Sequence, residues 1–488
     1  MPPLMGNPHV AIFPLSGAMG HLIPSVQFVK RLCTLHGFSV ALIISNSALD
    51  IRFIEIAHIT VDEGELEDLN MVTRVSKFVL KAKPHIEDAL RSLLSSSPIS
   101  AFVTDTFCTD LLDVGAKLNL PTYLFISFSA SVLCFMMHLP TLVSNIEVSF
   151  KDADFEVEVP GLSPIPARDL PSHIQDRSNS AFKWFVHHST RLKEASGFLI
   201  NTFAELEEEA IKALCTPATP PMYPIGPLLQ LTESDTPQDS TCLKWLDEQP
   251  ASTQLTWAAH SHYIIIFRYE MKSLGKVDSH VTVGLHIRTP ASFGSLGVFS
   301  REQITDLAIG LEASSHRFVW VLRGYKSGDS SSLETDISQL LPEGFKSRTW
   351  DRGLVVLNWA PQVPVLSHPS TGGFLSHCGW NSTLESVCHG VPMIAWPLAA
   401  EQGMNKVTLV KQFNVAIDLK MDNKGFVKRE QVERSVRELM EGEEGRKARE
   451  EMKELKDQAK MAAMEGGSTI KATARVAADL SASTLTVK

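Results

Sequence analysis

Apolar residues along the chain fall into short continuous runs separated by amphipathic stretches. His9-Val10-Ala11-Ile12-Phe13-Pro14 is an apolar run of the kind that fills a strand covered on both faces of a parallel sheet. A small-residue loop, Ser16-Gly17-Ala18-Met19-Gly20, follows it. From His21 the apolar residues Leu22, Val26, Val29 and Leu32 recur at helical spacing, and a second strand is predicted over Ser39 to Ile44. A later run, Ala101-Phe102-Val103-Thr104, ends in Asp105. Strand, helix and strand in alternation predict a doubly wound α/β sheet, whose ligands bind beyond the carboxyl ends of the strands. The uncharged stretch from Tyr123 to Val143 contains Ser127, Ser129, Ser131 and Pro140, so it is read as a buried strand to Ile126 and then a core helix, not as a membrane span.

The same alternation returns in the second half. Gly372-Gly373-Phe374-Leu375-Ser376 is a short buried strand that runs into His377-Cys378-Gly379-Trp380, and Asn381 to Glu385 opens a helix. Ser382 and Glu385 stand at the spacing of a capping box. A strand, a glycine that admits close backbone approach and a helix N-terminus together make either a plain helix start or a site for a diphosphate, to which His377, otherwise a structural residue, adds a donor. Ile394-Ala395-Trp396-Pro397 is a further strand end. Glu401-Gln402 follows it with a carboxylate and an amide, suited to neighbouring sugar hydroxyls; the plain alternative is a solvated loop. Beyond Phe426, alternating charges through Met464 mark solvated surface helices.

Length and composition then narrow the function. A chain of 488 residues with ordinary hydrophobicity makes two α/β domains. Its net charge of −10 and pI near 5.9 argue against a nucleic-acid or anionic-membrane binder, both of which need a basic face. Seven cysteines without a C-x-x-C pair suggest neither a zinc site nor a disulfide framework, and fit a reducing compartment. Met1-Pro2-Pro3 leads almost directly into a strand-like run without the pattern of a signal peptide, so the expected location is cytoplasmic. The Gly17-to-His21 loop lacks G-x-G-x-x-G, which disfavours a nicotinamide-dependent dehydrogenase. His21 lies at a strand end, where chemistry is done or a helix is capped. Asp105 is placed either to reach the His21 imidazole or to cap the helix through Asp110 to Ala116.

The stretch from Trp359 to Gln402, WAPQ to EQ, resembles the signature box of plant UDP-sugar-dependent small-molecule glycosyltransferases nearly residue for residue. Val159 to Asp169, Ser196 to Phe203 and Tyr223 to Pro227 resemble the same family in order. Within it, the chain is similar to the hydroquinone and monolignol glucosyltransferases. The resemblance implies two Rossmann-like doubly wound domains facing a cleft, the GT-B arrangement. The acceptor domain is placed at 1–230, a linker rich in Pro, Ser, Thr and Asp at 231–253, the UDP-sugar domain at 254–470, and a segment returning to the first domain at 471–488. It makes His21 the catalytic base and Asp105 its partner. Trp359 stacks on uracil and the Ala360 backbone pairs with it, while Gln362 and Glu385 hold the ribose. His377, Asn381, Ser382 and Ser295 meet the diphosphate. Trp380, Glu401 and Gln402 hold the sugar, Ser129 touches it from the acceptor side, and Phe107 walls the acceptor pocket. The implied reaction is inverting transfer of glucose from UDP-glucose to a small phenol, by a monomer that requires no metal and no cofactor.

Three departures accompany the resemblance. Gly17-Ala18 stands where Pro-Gly is common, and Ala399 replaces a bulky aromatic. The third is larger: a strand that should lead straight into Ser292-Phe293-Gly294-Ser295 is interrupted by residues 254–290, which resemble nothing in the family. Val281, Val283, Leu285 and Ile287 alternate and are expected to replace the lost strand. Because the insertion falls beside the phosphate site, the alternative is an impaired or non-folding homologue that at most binds UDP.

Overall fold

The computed structural model describes residues 9–15, 19–44, 53–55, 70–96, 98–229, 241–248, 255–259, 299–322, 341–357, 360–422 and 424–482. Trp359, Ser295 and the alternating run at 281–287 lie outside these residues.

Two parallel sheets carry the fold. The first contains β1 (His9–Phe13), β2 (Ser39–Ile44), β3 (Phe53–Glu55), β4 (Ile99–Asp105), β5 (Thr122–Ile126), β6 (Gly197–Ile200) and β7 (Met222–Pro224), in the order β3-β2-β1-β4-β5-β6-β7. β1 pairs with β2 on one side and β4 on the other, both parallel. Its run Val10 to Phe13 is buried, as is the whole of β4, in keeping with strands covered on both faces. Helix α1 (Met19–His36) connects β1 to β2, and α2 (Ala130–Asn145) follows β5. The uncharged stretch after Tyr123 is thus a strand and a core helix, and no helix among the described residues is long and apolar enough to cross a membrane.

The second sheet contains β8 (Leu255–Ala259), β9 (Arg317–Leu322), β10 (Gly353–Leu357), β11 (Thr371–Ser376), β12 (Met393–Ala395) and β13 (Ala416–Asp418), in the order β10-β9-β8-β11-β12-β13. β8 lies between β9 and β11 and pairs in parallel with both. This corrects the expectation that the alternating run at 281–287 supplies the central strand: the position is already taken by Leu255–Ala259. In both sheets the strand order reverses beside the first strand, between β1 and β4 and between β8 and β11. A doubly wound sheet opens its ligand crevice at such a reversal.

The last helix, labelled α6 (Ser468–Ala482), packs on the first sheet. Val476, Ala477 and Leu480 join the core formed by Val10, Ile12, Phe28 and Tyr223. The Tyr223 hydroxyl donates to Asp479, and Arg475 lies 5.0 Å above the Tyr223 ring. The helix begins at Ser468, slightly before the expected segment at 471–488. All seven cysteines are free thiols.

Candidate active site

His21 enters the first crevice from the first turn of α1, and Asp105 from the carboxyl end of β4. One Asp105 oxygen, Oδ2, lies 2.7 Å from His21 Nδ1, while the other, Oδ1, accepts the Phe107 backbone N–H at 2.9 Å and caps the 3₁₀ turn Thr106–Leu111. Asp105 therefore reaches the imidazole with one oxygen and caps with the other, but what it caps is the 3₁₀ turn ahead of the helix Leu112–Lys117, whose own N-cap, Leu111, has no side-chain bond. Asp105 is 1% exposed, so a carboxylate there is stabilised by these donors instead of by water. With Nδ1 facing a carboxylate, the neutral imidazole carries its proton on Nδ1 and leaves Nε2 as the basic nitrogen. Burial alone lowers the His21 pKa, but the charge of Asp105, its hydrogen bond and the charge of Glu401 outweigh it, and the net shift is upward from 6.5.

The wall beside this pair is aromatic. The Phe107 ring centroid lies 5.9 Å from that of His21, 6.3 Å from Phe128 and 5.9 Å from Phe185, the last carried by α3 (Ser180–Arg191). Behind Phe107, His188 is fully buried with both ring nitrogens engaged, one by Ser76 at 2.9 Å and the other by Thr109 at 2.7 Å. Desolvation holds it neutral, with a pKa pushed down to about 3. Asp110, His187 and His188 cluster closely enough to suggest a metal site, but His188 already has two hydroxyl partners and the Arg191 guanidinium lies 3.5 Å from Asp110. The donors are arranged for a hydrogen-bond network.

Across the crevice, β11 ends at Ser376 and the chain turns sharply into α4 (Trp380–His389). Cys378 takes a positive φ of 66°, and Gly379 is the N-cap with no side-chain capping bond. The capping-box reading of Ser382 and Glu385 is therefore corrected: the helix starts earlier, and both residues sit inside it. They converge instead on Gln362, whose Nε2 donates to Ser382 Oγ at 3.0 Å and to Glu385 Oε2 at 2.6 Å. Glu385 is buried, and desolvation raises its pKa to about 7 against the opposing hydrogen bond from Gln362. His377 is buried over the turn, and Ala360, buried as well, begins the segment that carries Gln362.

Other expected contacts are relocated. The Trp380 indole is packed in the second-domain core, and its Nε1–H donates to the Asn201 carbonyl at 2.7 Å, so only its backbone is available to a sugar. Ser129 is 0% exposed; its hydroxyl caps α2 through the Val132 N–H at 3.2 Å and donates to Asn405 Oδ1 at 3.3 Å. Both contacts are made at the junction of α2 with the second domain. Asn381 reaches over to the first domain, donating to the Gly20 carbonyl at 3.0 Å and accepting from Asn201 Nδ2 at 3.3 Å. Glu401 and Gln402 lie at the start of α5 (Gln402–Val407), and Gln402 is buried, with Oε1 accepting the N–H groups of Leu398 and Ala399. That excludes the solvated-loop alternative and aims the tight turn after β12 at the crevice. Burial raises the Glu401 pKa, offset in part by its own backbone N–H and by His21.

Two residues of the site were not singled out from the sequence. Ser127, the first residue after β5, places its Oγ 2.9 Å from His21 Nδ1. Asn201, just beyond β6, meets Trp380 and Asn381 and accepts the Leu228 N–H at 2.8 Å. Neither has a local signal, since a serine among serines and an asparagine in a loop acquire these roles only when distant strands are brought together.

Comparison with known proteins places this geometry. Residues 285–457 match the family model described as UDP-glucoronosyl and UDP-glucosyl transferase. The chain is 41% identical to UDP-glycosyltransferase 72B1 of Arabidopsis thaliana, over 89% of this chain and 88% of that protein. It belongs to the plant family 1 UDP-glycosyltransferases. This UDP-glycosyltransferase is also 38% identical to the hydroquinone glucosyltransferase of Rauvolfia serpentina, covering 96% of this chain and 97% of the relative. The solved structure of Phytolacca americana UGT2 superposes with a TM-score of 0.82 at 38% identity, covering 97% of this chain and all of that one. The same protein complexed with UDP-2fluoro-glucose and pterostilbene gives a TM-score of 0.80. The two sheets are accordingly the two Rossmann-like domains of a GT-B glycosyltransferase, and the chain is a transferase acting on a small acceptor.

Proposed function

We propose that the chain transfers glucose from UDP-glucose to the hydroxyl of a small phenol of the hydroquinone or monolignol type, giving a β-O-glucoside. The observation that carries this reading is the His21–Asp105 contact at 2.7 Å, set beside the Phe107 ring in an aromatic wall. His21 Nε2 takes the phenolic proton as the oxygen attacks the anomeric carbon. The bond from that carbon to the diphosphate oxygen breaks, UDP departs with the electron pair, and the configuration inverts. Asp105 steadies the imidazolium. The N-terminus of α4 and His377 meet the charge growing on the leaving group, a task for which the chemistry requires no metal. Gln362 and Glu385 hold the ribose, Ser382 and Asn381 the diphosphate, and Glu401 and Gln402 the sugar hydroxyls. Hydroquinone glucosyltransferase among the relatives and a neighbour solved in complex with pterostilbene support a phenolic acceptor. Seven free thiols suit a protein working in the reducing cytoplasm, where we expect a monomer.

The test is UDP release from UDP-glucose with a panel of small phenols, comparing the native chain with His21→Ala. Loss of a general base is expected to lower kcat by roughly 100-fold or more. A native chain that turns over no phenol, or a variant as active as the native chain, overturns the proposal.

A further inference from the structure

We propose that Ser127 is a positioning residue for His21, holding the imidazole jointly with Asp105 so that the pair is in fact a group of three. The inference rests on His21 being the catalytic base. Ser127 Oγ lies 2.9 Å from His21 Nδ1, and Asp105 Oδ2 lies 2.7 Å from the same nitrogen. A ring nitrogen that carries one N–H and faces two oxygens shares that hydrogen between them. Two acceptors on different strands define the ring's rotation, which one acceptor leaves free about the hydrogen-bond axis.

The placement of Ser127 is itself built. It is 6% exposed and sits between the end of β5 and the N-terminus of α2. That N-terminus is tied down by Glu207, whose carboxylate accepts the Ala130 N–H at 2.8 Å and the Ser131 N–H at 2.9 Å, and by the Ser129 cap. β4 and β5 are hydrogen-bonded neighbours, with Asp105 opposite Phe125, so the serine and the carboxylate approach the imidazole from adjacent strand ends. Among the described residues, the ionisable groups that act on His21 are Asp105, from the end of β4, and Glu401, from the second domain. Cys108 beside Asp105 is a buried thiol with its pKa raised well above the ordinary value by desolvation, and stays neutral. Ser127 therefore supplies a dipole that favours the protonated ring without adding a charge. Its removal lowers the His21 pKa and loosens the ring.

The experiment pairs an NMR titration of the His21 ring in the free protein with steady-state kinetics, for native protein, Ser127→Ala, Ser127→Thr and Ser127→Cys. In Ser127→Ala the His21 pKa is expected to fall by about half a pH unit. The acid limb of kcat/KM is expected to move down with it, kcat to drop roughly fivefold, and KM for UDP-glucose to stay unchanged. Ser127→Thr restores the hydroxyl and both values, and Ser127→Cys, a weaker acceptor of similar size, moves them in the direction of alanine if the alanine variant does not fold. The titration needs no turnover, so absence of glucose transfer in the native chain sinks the proposed reaction while leaving this inference to be judged on the ring. An unchanged His21 titration and kcat in Ser127→Ala overturns it.

Discussion

Burial gives Glu385 a titration that ordinary carboxylates lack, and its consequence for stability has a definite sign. Unfolded, the carboxyl titrates near 4.5; folded, it titrates near 7, because desolvation disfavours the charge more than the Gln362 amide favours it. Below pH 4.5 both states are protonated and burial costs nothing extra. Between 4.5 and 7 the unfolded chain ionises while the folded one does not, so folding stability declines across that window and levels off above it. Glu385→Gln removes this slope. Thermal melts of the variant are expected to match the native protein near pH 4.5 and to exceed it at pH 8, by at most about 3 kcal/mol. UDP protection is expected to weaken if Glu385 holds the ribose as proposed. Melting curves that stay parallel from pH 4.5 to 8 contradict the assignment. At this scale Asp105 was legible because it ends a strand-like run and His21 because it opens the helix after the first strand and its loop, the resemblance supplying their roles, whereas the partners that engage Trp380 and Ser129 were not. A motif match carries a residue's position; it does not say which of its atoms is already engaged by a partner more than a hundred residues away.

The turn between β11 and α4 shows how an element converts sequence into a binding surface. Gly379 has φ −64°, a value any residue adopts, so its lack of a side chain matters for space alone. A Cβ there falls 2.2 Å from His377 Nε2, far inside contact distance, so the imidazole folds over the glycine. Gly379→Ala is expected to keep the backbone and displace the ring, weakening UDP binding by roughly 10-fold or more, the size of a lost hydrogen bond to a charged group. Calorimetric titration with UDP, alongside an unchanged far-UV spectrum, checks this; equal affinity removes His377 from the diphosphate site. The capping-box pattern at Ser382 and Glu385 misled because S-x-x-E reads the same at a helix start and one turn inside it, where the two side chains here meet Gln362. β1, β2 and β4, by contrast, are near-continuous apolar runs bounded by breakers, and their extents were legible to within two residues. β8 was not: Leu255–Ala259 is a short run near the equally short and more apolar stretch Tyr263–Phe267, and only pairing with β9 and β11, which come later in the chain, selects it.

The whole molecule is two crevices facing each other, fastened by contacts that cross between the sheets. The Lys406 ammonium meets both oxygens of Asp169 at 2.7 Å, and Ser172 exchanges hydrogen bonds with the backbone of Ala400. Asn381 ties the diphosphate turn to the carbonyl of Gly20, next to His21. UDP binding to the second domain therefore depends on a complete second sheet, which makes residues 254–290 the place where the fold is tested. Removing 254–290 takes away β8 and leaves β9 and β11 without the strand that joins them. Removing 260–290 keeps it. A ligand selective for the native state adds about 2.7 kcal/mol at a hundredfold excess over its Kd, a rise of several degrees in Tm. The native chain and the chain lacking 260–290 are expected to show that rise with UDP, and the chain lacking 254–290 to be insoluble or unresponsive. If UDP protects only the chain lacking 260–290, the native sequence is the impaired homologue. Equal protection of both shortened chains means instead that Leu255–Ala259 is dispensable and the sheet closes by another strand.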